Sequence, residues 1–88
     1  SLPRIYPVTC HTDHVGVGTT FVVIKGFTHD GIEYIPLALE KGARTIVANH
    51  GTLSAELIGL IEKYGAAIKY VDDTRKALAQ LSARAAGY

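Results

Sequence analysis

The sequence has a single cysteine, Cys10, so no disulfide can form within the chain. A small domain without disulfides fits a reducing compartment. No apolar run approaches the roughly 20 residues needed to span a bilayer as a helix. No block of basic residues suggests nucleic acid, and no acidic run suggests a disordered binding tail. Nine basic and eight acidic residues are spread along the chain for a net charge of +1. The first residues, Ser1-Leu2-Pro3-Arg4, lack the charged start and apolar stretch of a signal peptide. The chain begins without Met and ends without a punctuating turn, as expected for a piece of something longer.

What is present suits one small domain. The chain has 88 residues, of which 48% are hydrophobic, enough for a core of its own. Ile5 to Thr9 is a β-prone run that follows Pro3 and contains Pro7, whose missing N–H predicts an edge or irregular strand. Phe21 to Lys25 is a continuous apolar run ending in a lysine, predicting a strand buried on both faces. A helix is expected from about Ile32 or Glu33 to Lys41, with Asp30 or Gly31 capping it, Pro36 in its first turn and Gly42 just past its end. Arg44 to Ala48 reads as the next strand. Ser54 is the expected N-cap of a helix presenting Leu57, Ile58, Ile61 and Tyr64 on one face, and Gly65 ends it. Ala67 to Val71 is a further strand. Asp72 and Asp73 place negative charge at the start of a last helix, with Ala77, Leu78, Leu81, Ala85 and Tyr88 on one stripe. Strands alternating with helices predict an α/β fold, a small single domain with a largely parallel central sheet flanked by helices.

Several stretches invite a chemical reading. His11-Thr12-Asp13-His14 concentrates two imidazoles and a carboxylate. These could ligate a metal together with His29 or His50, but a solvated loop explains them more simply. Gly16-Val17-Gly18-Thr19-Thr20 resembles a phosphate loop only loosely, because a strand rather than a helix follows it; a plain turn is preferred. Cys10 beside His11 suggests a nucleophile and base. Adjacent residues on an extended segment point to opposite faces, so no catalytic residue is assigned. Phe27-Thr28-His29-Asp30-Gly31 lies between a strand and a helix, where open α/β sheets collect ligands. The Phe27 ring could lie against a base, and Thr28 and His29 could bond a pyrimidine edge or an oxygen-rich ligand. A simple connecting turn fits the spacing equally well.

Two stretches carry a family resemblance. FVVIKGFTHDGIEYIPLALEKGA, from Phe21, resembles the N-terminal domain of the Mur ligases, most closely those of MurE type, the UDP-N-acetylmuramoyl-dipeptide ligases. VDDTRKALAQLSARAAGY, from Val71, is similar to the helix leading from that domain into the ATP-binding central domain. The resemblance implies a UDP-substrate-binding domain over residues 1–72. Residues 73–88 would form a helix directed toward a central domain beyond them. It implies a cytoplasmic enzyme of peptidoglycan biosynthesis, and so of cell-wall biogenesis, cell shape and division. Such an enzyme adds an amino acid to a UDP-linked muramoyl peptide using ATP and Mg²⁺. This fragment would need no cofactor of its own and would be inactive alone, since the family's ATP loop is expected after Tyr88. Its partners would be the UDP-linked substrate and the central and C-terminal domains of the same polypeptide.

Position by position, the resemblance places Phe27, Thr28 and His29 at the uridine. The family's Asp-Ser-Arg triplet falls on His11, Thr12 and Asp13. Thr12 keeps the hydroxyl that contacts UDP, and Cys10 matches a position whose backbone runs along the nucleotide. Asp13 replaces an arginine and reverses a charge near the diphosphate, which His11 could offset if protonated. The segment from His50 to Gly65 also departs from the family pattern. The altered loop leaves open a second reading, a stand-alone Mur-like binding module without ligase activity.

Overall fold

The computed structural model describes residues 4–26 and 28–87. Four strands form one parallel sheet in chain order: β1 (Val8–Thr9), β2 (Thr20–Val22), β3 (Thr45–Asn49) and β4 (Ala67–Val71). Three α-helices accompany them: α1 (Ile35–Glu40), α2 (Ala55–Lys63) and α3 (Thr74–Ala85). The succession of strand, loop, strand, helix, strand, helix, strand, helix is the one expected from the sequence, and the sheet is parallel throughout.

Alternation along the central strands sorts side chains onto two faces. Phe21, Val23, Ile46 and Ala48 face α1 and α2 in one core with Ile35, Ala38, Leu39 and Ile61. Val22 and Val47 face the other way and meet Ala77, with Leu78 and Leu81 of α3 beside it. Phe21, Val22, Ile46 and Val47 are all fully buried, which explains the unbroken apolar runs: both faces are covered. Burying one such side chain contributes roughly 1.5–3 kcal/mol. After β4, α3 crosses under the sheet and packs against β1, β2 and β3.

Local signals set most boundaries. The Ser54 hydroxyl accepts from the Leu57 amide at 3.1 Å, and the Asp73 carboxylate accepts from the Lys76 amide at 3.0 Å. Asp30 accepts from the Ile32 amide at 3.1 Å, but the turn it caps is a 3-10 turn, Gly31–Tyr34, and α1 begins only at Ile35 with Pro36 in its first turn. Ile35, the residue before Pro36, is itself α-helical, and the delayed start comes from the 3-10 turn ahead of it, which sets Ile32 and Tyr34 against the core.

Other expectations are corrected. The strand read as Phe21 to Lys25 is regular only over Thr20–Val22. Lys25 instead pairs with Asp30 in an isolated antiparallel bridge. The run from Ile5 to Thr9 contributes only Val8–Thr9, as an edge strand. On α2, Tyr64 is exposed and Leu60 takes its place against the core. On α3, Ala85 is exposed, and Tyr88 lies outside the described residues.

Candidate functional site

The turn after β2 is a short hairpin. Gly26 donates to the His29 carbonyl at 2.8 Å, and Gly31 donates to the Ile24 carbonyl at 2.9 Å. Gly31 must be glycine, because a Cβ there would lie 2.8 Å from the Ile24 nitrogen and 2.9 Å from its oxygen. Opposite the hairpin, the chain leaves β1, bends at Cys10 and closes a 3-10 turn over Thr12–His14. The Thr9 hydroxyl accepts from the His11 amide at 3.1 Å and helps set that bend.

Between these two segments lies a cleft of about 370 Å³. One wall is Cys10, His11, Thr12 and Asp13; the other is Ile24, Gly26, His29 and Gly31, with Tyr34 at the end of the 3-10 turn. Three residues singled out in the sequence, Cys10, Thr12 and His29, therefore face one space. Thr28 is exposed and does not line it. Phe27 lies outside the described residues. Cys10 and His11 both reach the cleft, against the opposite-face expectation, because the chain bends there instead of staying extended.

Tyr34 was not singled out in the sequence. Its ring packs against the main core, and it meets the His29 ring edge-on, with centroids 6.1 Å apart at 68°. In a 3-10 turn residues i and i+3 eclipse, so Gly31 and Tyr34 fall on one side. The signal was hidden because an α-helix was expected over the same residues.

The histidine cluster does not converge. The His14 ring stacks on Tyr6 at 4.3 Å, and its Nδ1 lies 2.7 Å from the Arg4 carbonyl. It is absent from the cleft lining that holds His11, Asp13 and His29. Among the described residues no three His, Cys, Asp or Glu side chains are placed to hold a metal ion. The glycine-rich turn is structural: the buried Thr19 hydroxyl donates to the Tyr6 carbonyl at 2.9 Å and accepts from the Gly16 amide at 3.0 Å.

A second cleft of about 400 Å³ lies on the other side of the hairpin. Lys25 and Arg75 line it, but so do three carboxylates, Asp30, Asp72 and Asp73. With histidines neutral, both linings carry a formal charge of −1, so charge does not separate the two clefts; the first is distinguished by Cys10, Thr12 and His29.

Comparison with known proteins agrees with this architecture. Residues 4–86 match the model of the Mur ligase family, catalytic domain. The chain is 37% identical over 67 residues to the UDP-N-acetylmuramoyl-L-alanyl-D-glutamate--2,6-diaminopimelate ligase of Oceanobacillus iheyensis, covering 76% of this chain and 12% of that protein. It is 40% identical over 65 residues to the ligase of the same name from Clostridium perfringens, covering 74% and 12%. Against that from Bacillus licheniformis it is 36% identical over 80 residues, covering 91% and 14%. The chain thus spans only about an eighth of the length of these relatives. Among solved structures, MurF ligase from Thermotoga maritima in complex with ADP superposes with a TM-score of 0.60 at 29% identity, over 91% of this chain and 16% of that one. A match over nearly the whole chain, the same parallel α/β architecture and relatives of one ligase type lead to one conclusion: this chain belongs to the Mur ligase family.

Proposed function

We propose that this domain holds the UDP end of a UDP-linked muramoyl peptide in the cleft between Cys10–Asp13 and the Gly26–Gly31 hairpin. The observation that carries this reading is the meeting of Cys10, Thr12 and His29, from two separate segments, around one space. The relatives support it, since their names specify a UDP-N-acetylmuramoyl peptide as the molecule they extend. The Thr12 hydroxyl and the His29 imidazole offer donors and acceptors to a pyrimidine edge, and the Tyr34 ring offers a face beside them. The amide and hydroxyl of Thr28, at the rim, would meet the sugar, and Phe27 would add an aromatic face.

In this reading the domain is part of a cytoplasmic ligase of peptidoglycan synthesis that uses ATP and Mg²⁺ supplied by other domains. Those domains and the UDP-linked substrate are its partners, and the domain alone binds without ligating. A second reading has one observation in its favour. Asp13 lines the cleft where a diphosphate would approach, which suits a Mur-like module that has lost tight nucleotide binding.

Titration with UDP, followed by amide NMR shifts of the 88-residue chain, tests the proposal. The amides of Thr12, Thr28 and His29 are expected to move. A folded domain whose spectrum does not change at millimolar UDP would overturn it in favour of the second reading.

A further inference from the structure

We infer that Lys41, outside the cleft, is a positioning residue that sets the cleft's first wall. Lys41 follows the last residue of α1, and its Nζ donates to the Thr12 carbonyl at 2.6 Å across 29 residues of sequence. The same oxygen accepts from the Val15 amide at 3.1 Å, the bond that closes the 3-10 turn. Both lone pairs of one carbonyl are thus engaged, one shaping the turn and one anchoring it to α1. A charge-assisted bond of this kind is stronger than a neutral one. Without the ammonium, the turn keeps its shape but loses a fixed distance from α1, and with it the placing of Thr12 and Asp13 against the hairpin wall.

The fold does not depend on this contact. The same loop is tied to α1 a second time, where the Gly18 amide donates to the Gly42 carbonyl at 2.9 Å. Gly42 has φ of 104°, and a Cβ on it would lie 2.8 Å from the Val17 Cα, so this second tether is a close main-chain approach. The main-chain tether holds the loop to the domain, whereas the Lys41 tether acts at the end of the loop that lines the cleft. The two roles can therefore be separated by substitution.

This inference rests on the cleft being the ligand site, but its first readout needs no ligand. Cys10 is the only cysteine and lines the cleft two residues before Thr12. Its rate of reaction with 5,5′-dithiobis(2-nitrobenzoate) therefore reports the position of the wall. Lys41→Ala is expected to change that rate about threefold or more and to weaken UDP binding by about three- to tenfold. The urea midpoint should stay near that of the parent chain. Lys41→Arg, which can still donate to the carbonyl, should restore both readouts, and Lys63→Ala on the exposed end of α2 should alter neither. An unchanged Cys10 rate in Lys41→Ala overturns the inference, as does equal loss in Lys41→Ala and Lys41→Arg. If the parent chain fails to bind UDP while the thiol rate still responds to Lys41, the ligand reading falls and the positioning role stands.

Discussion

Gly31 lies directly against the main chain of Ile24. Its amide donates to the Ile24 carbonyl at 2.9 Å, and there is no room between them for a Cβ. Gly31→Ala would force the hairpin away from the end of β2. The atoms in the way are backbone, which cannot rotate aside, so a loss of about 1–3 kcal/mol is expected in urea unfolding. Thr28→Ala, on the exposed rim of the same hairpin, should leave the unfolding midpoint within experimental scatter.

The two adjacent carboxylates before α3 are predicted to differ sharply. Asp73 caps the helix by accepting from Lys76, whereas Asp72 reaches outward to His50 at 3.4 Å and its side chain is 99% exposed. Asp73→Ala should lower stability by about 0.5–2 kcal/mol, with Asp73→Asn recovering most of it. Asp72→Ala should be close to neutral. Thermal melts of the three variants check this.

Asp13 is the negative charge in the proposed UDP cleft. Removing a like charge several ångströms from a diphosphate in a solvent-exposed setting gains on the order of 1 kcal/mol. Asp13→Asn is thus expected to bind UDP about two- to fivefold more tightly, and Asp13→Arg more tightly still. The gain should shrink as salt is added. Calorimetric titration at two salt concentrations reads both effects. Weaker binding by Asp13→Asn would mean that the carboxylate itself contacts the ligand.

Tyr34 offers a test of what the cleft grips. Its ring is anchored in the core and touches His29 edge-on. If the ring supports a bound base, Tyr34→Phe should keep UDP affinity within about twofold, while Tyr34→Leu should lose about fivefold or more. A large loss in Tyr34→Phe would instead assign the role to the phenol hydroxyl. Uridine and inorganic pyrophosphate, titrated separately, distinguish contact with the base from contact with the phosphates.

Much of the fold was legible in the sequence because the signals are local. Ala67 to Val71 was read with the bounds that the structure shows, since a β-branched and aromatic run stands between Gly65 and a carboxylate pair. Ser54 was legible as a cap for the same reason: the hydroxyl and the amide it serves are three residues apart. Where local signals compete, the sequence leaves the element's bounds open. Pro36 is compatible with a helix start at several positions, and only packing turned Gly31–Tyr34 into a 3-10 turn that brings Tyr34 to the cleft. On α2, Leu60 and Tyr64 both border the apolar stripe. The sheet took the aliphatic one and left the phenol in water.

The candidate site was legible as two separate stretches but not as a place. Sequence alone determined which residues carry hydroxyls, imidazoles and a thiol near strand ends, and it determined the alternation that makes the sheet parallel. Only the tertiary structure decided that Cys10, Thr12 and His29 share one cleft, that His14 turns away onto Tyr6, and that Lys41 reaches Thr12. Caps, turns and strand runs are fixed by neighbours within a few residues. Contacts between distant segments exist only once the sheet has closed the loops between them, and nothing in the local pattern records the distance at which they will meet.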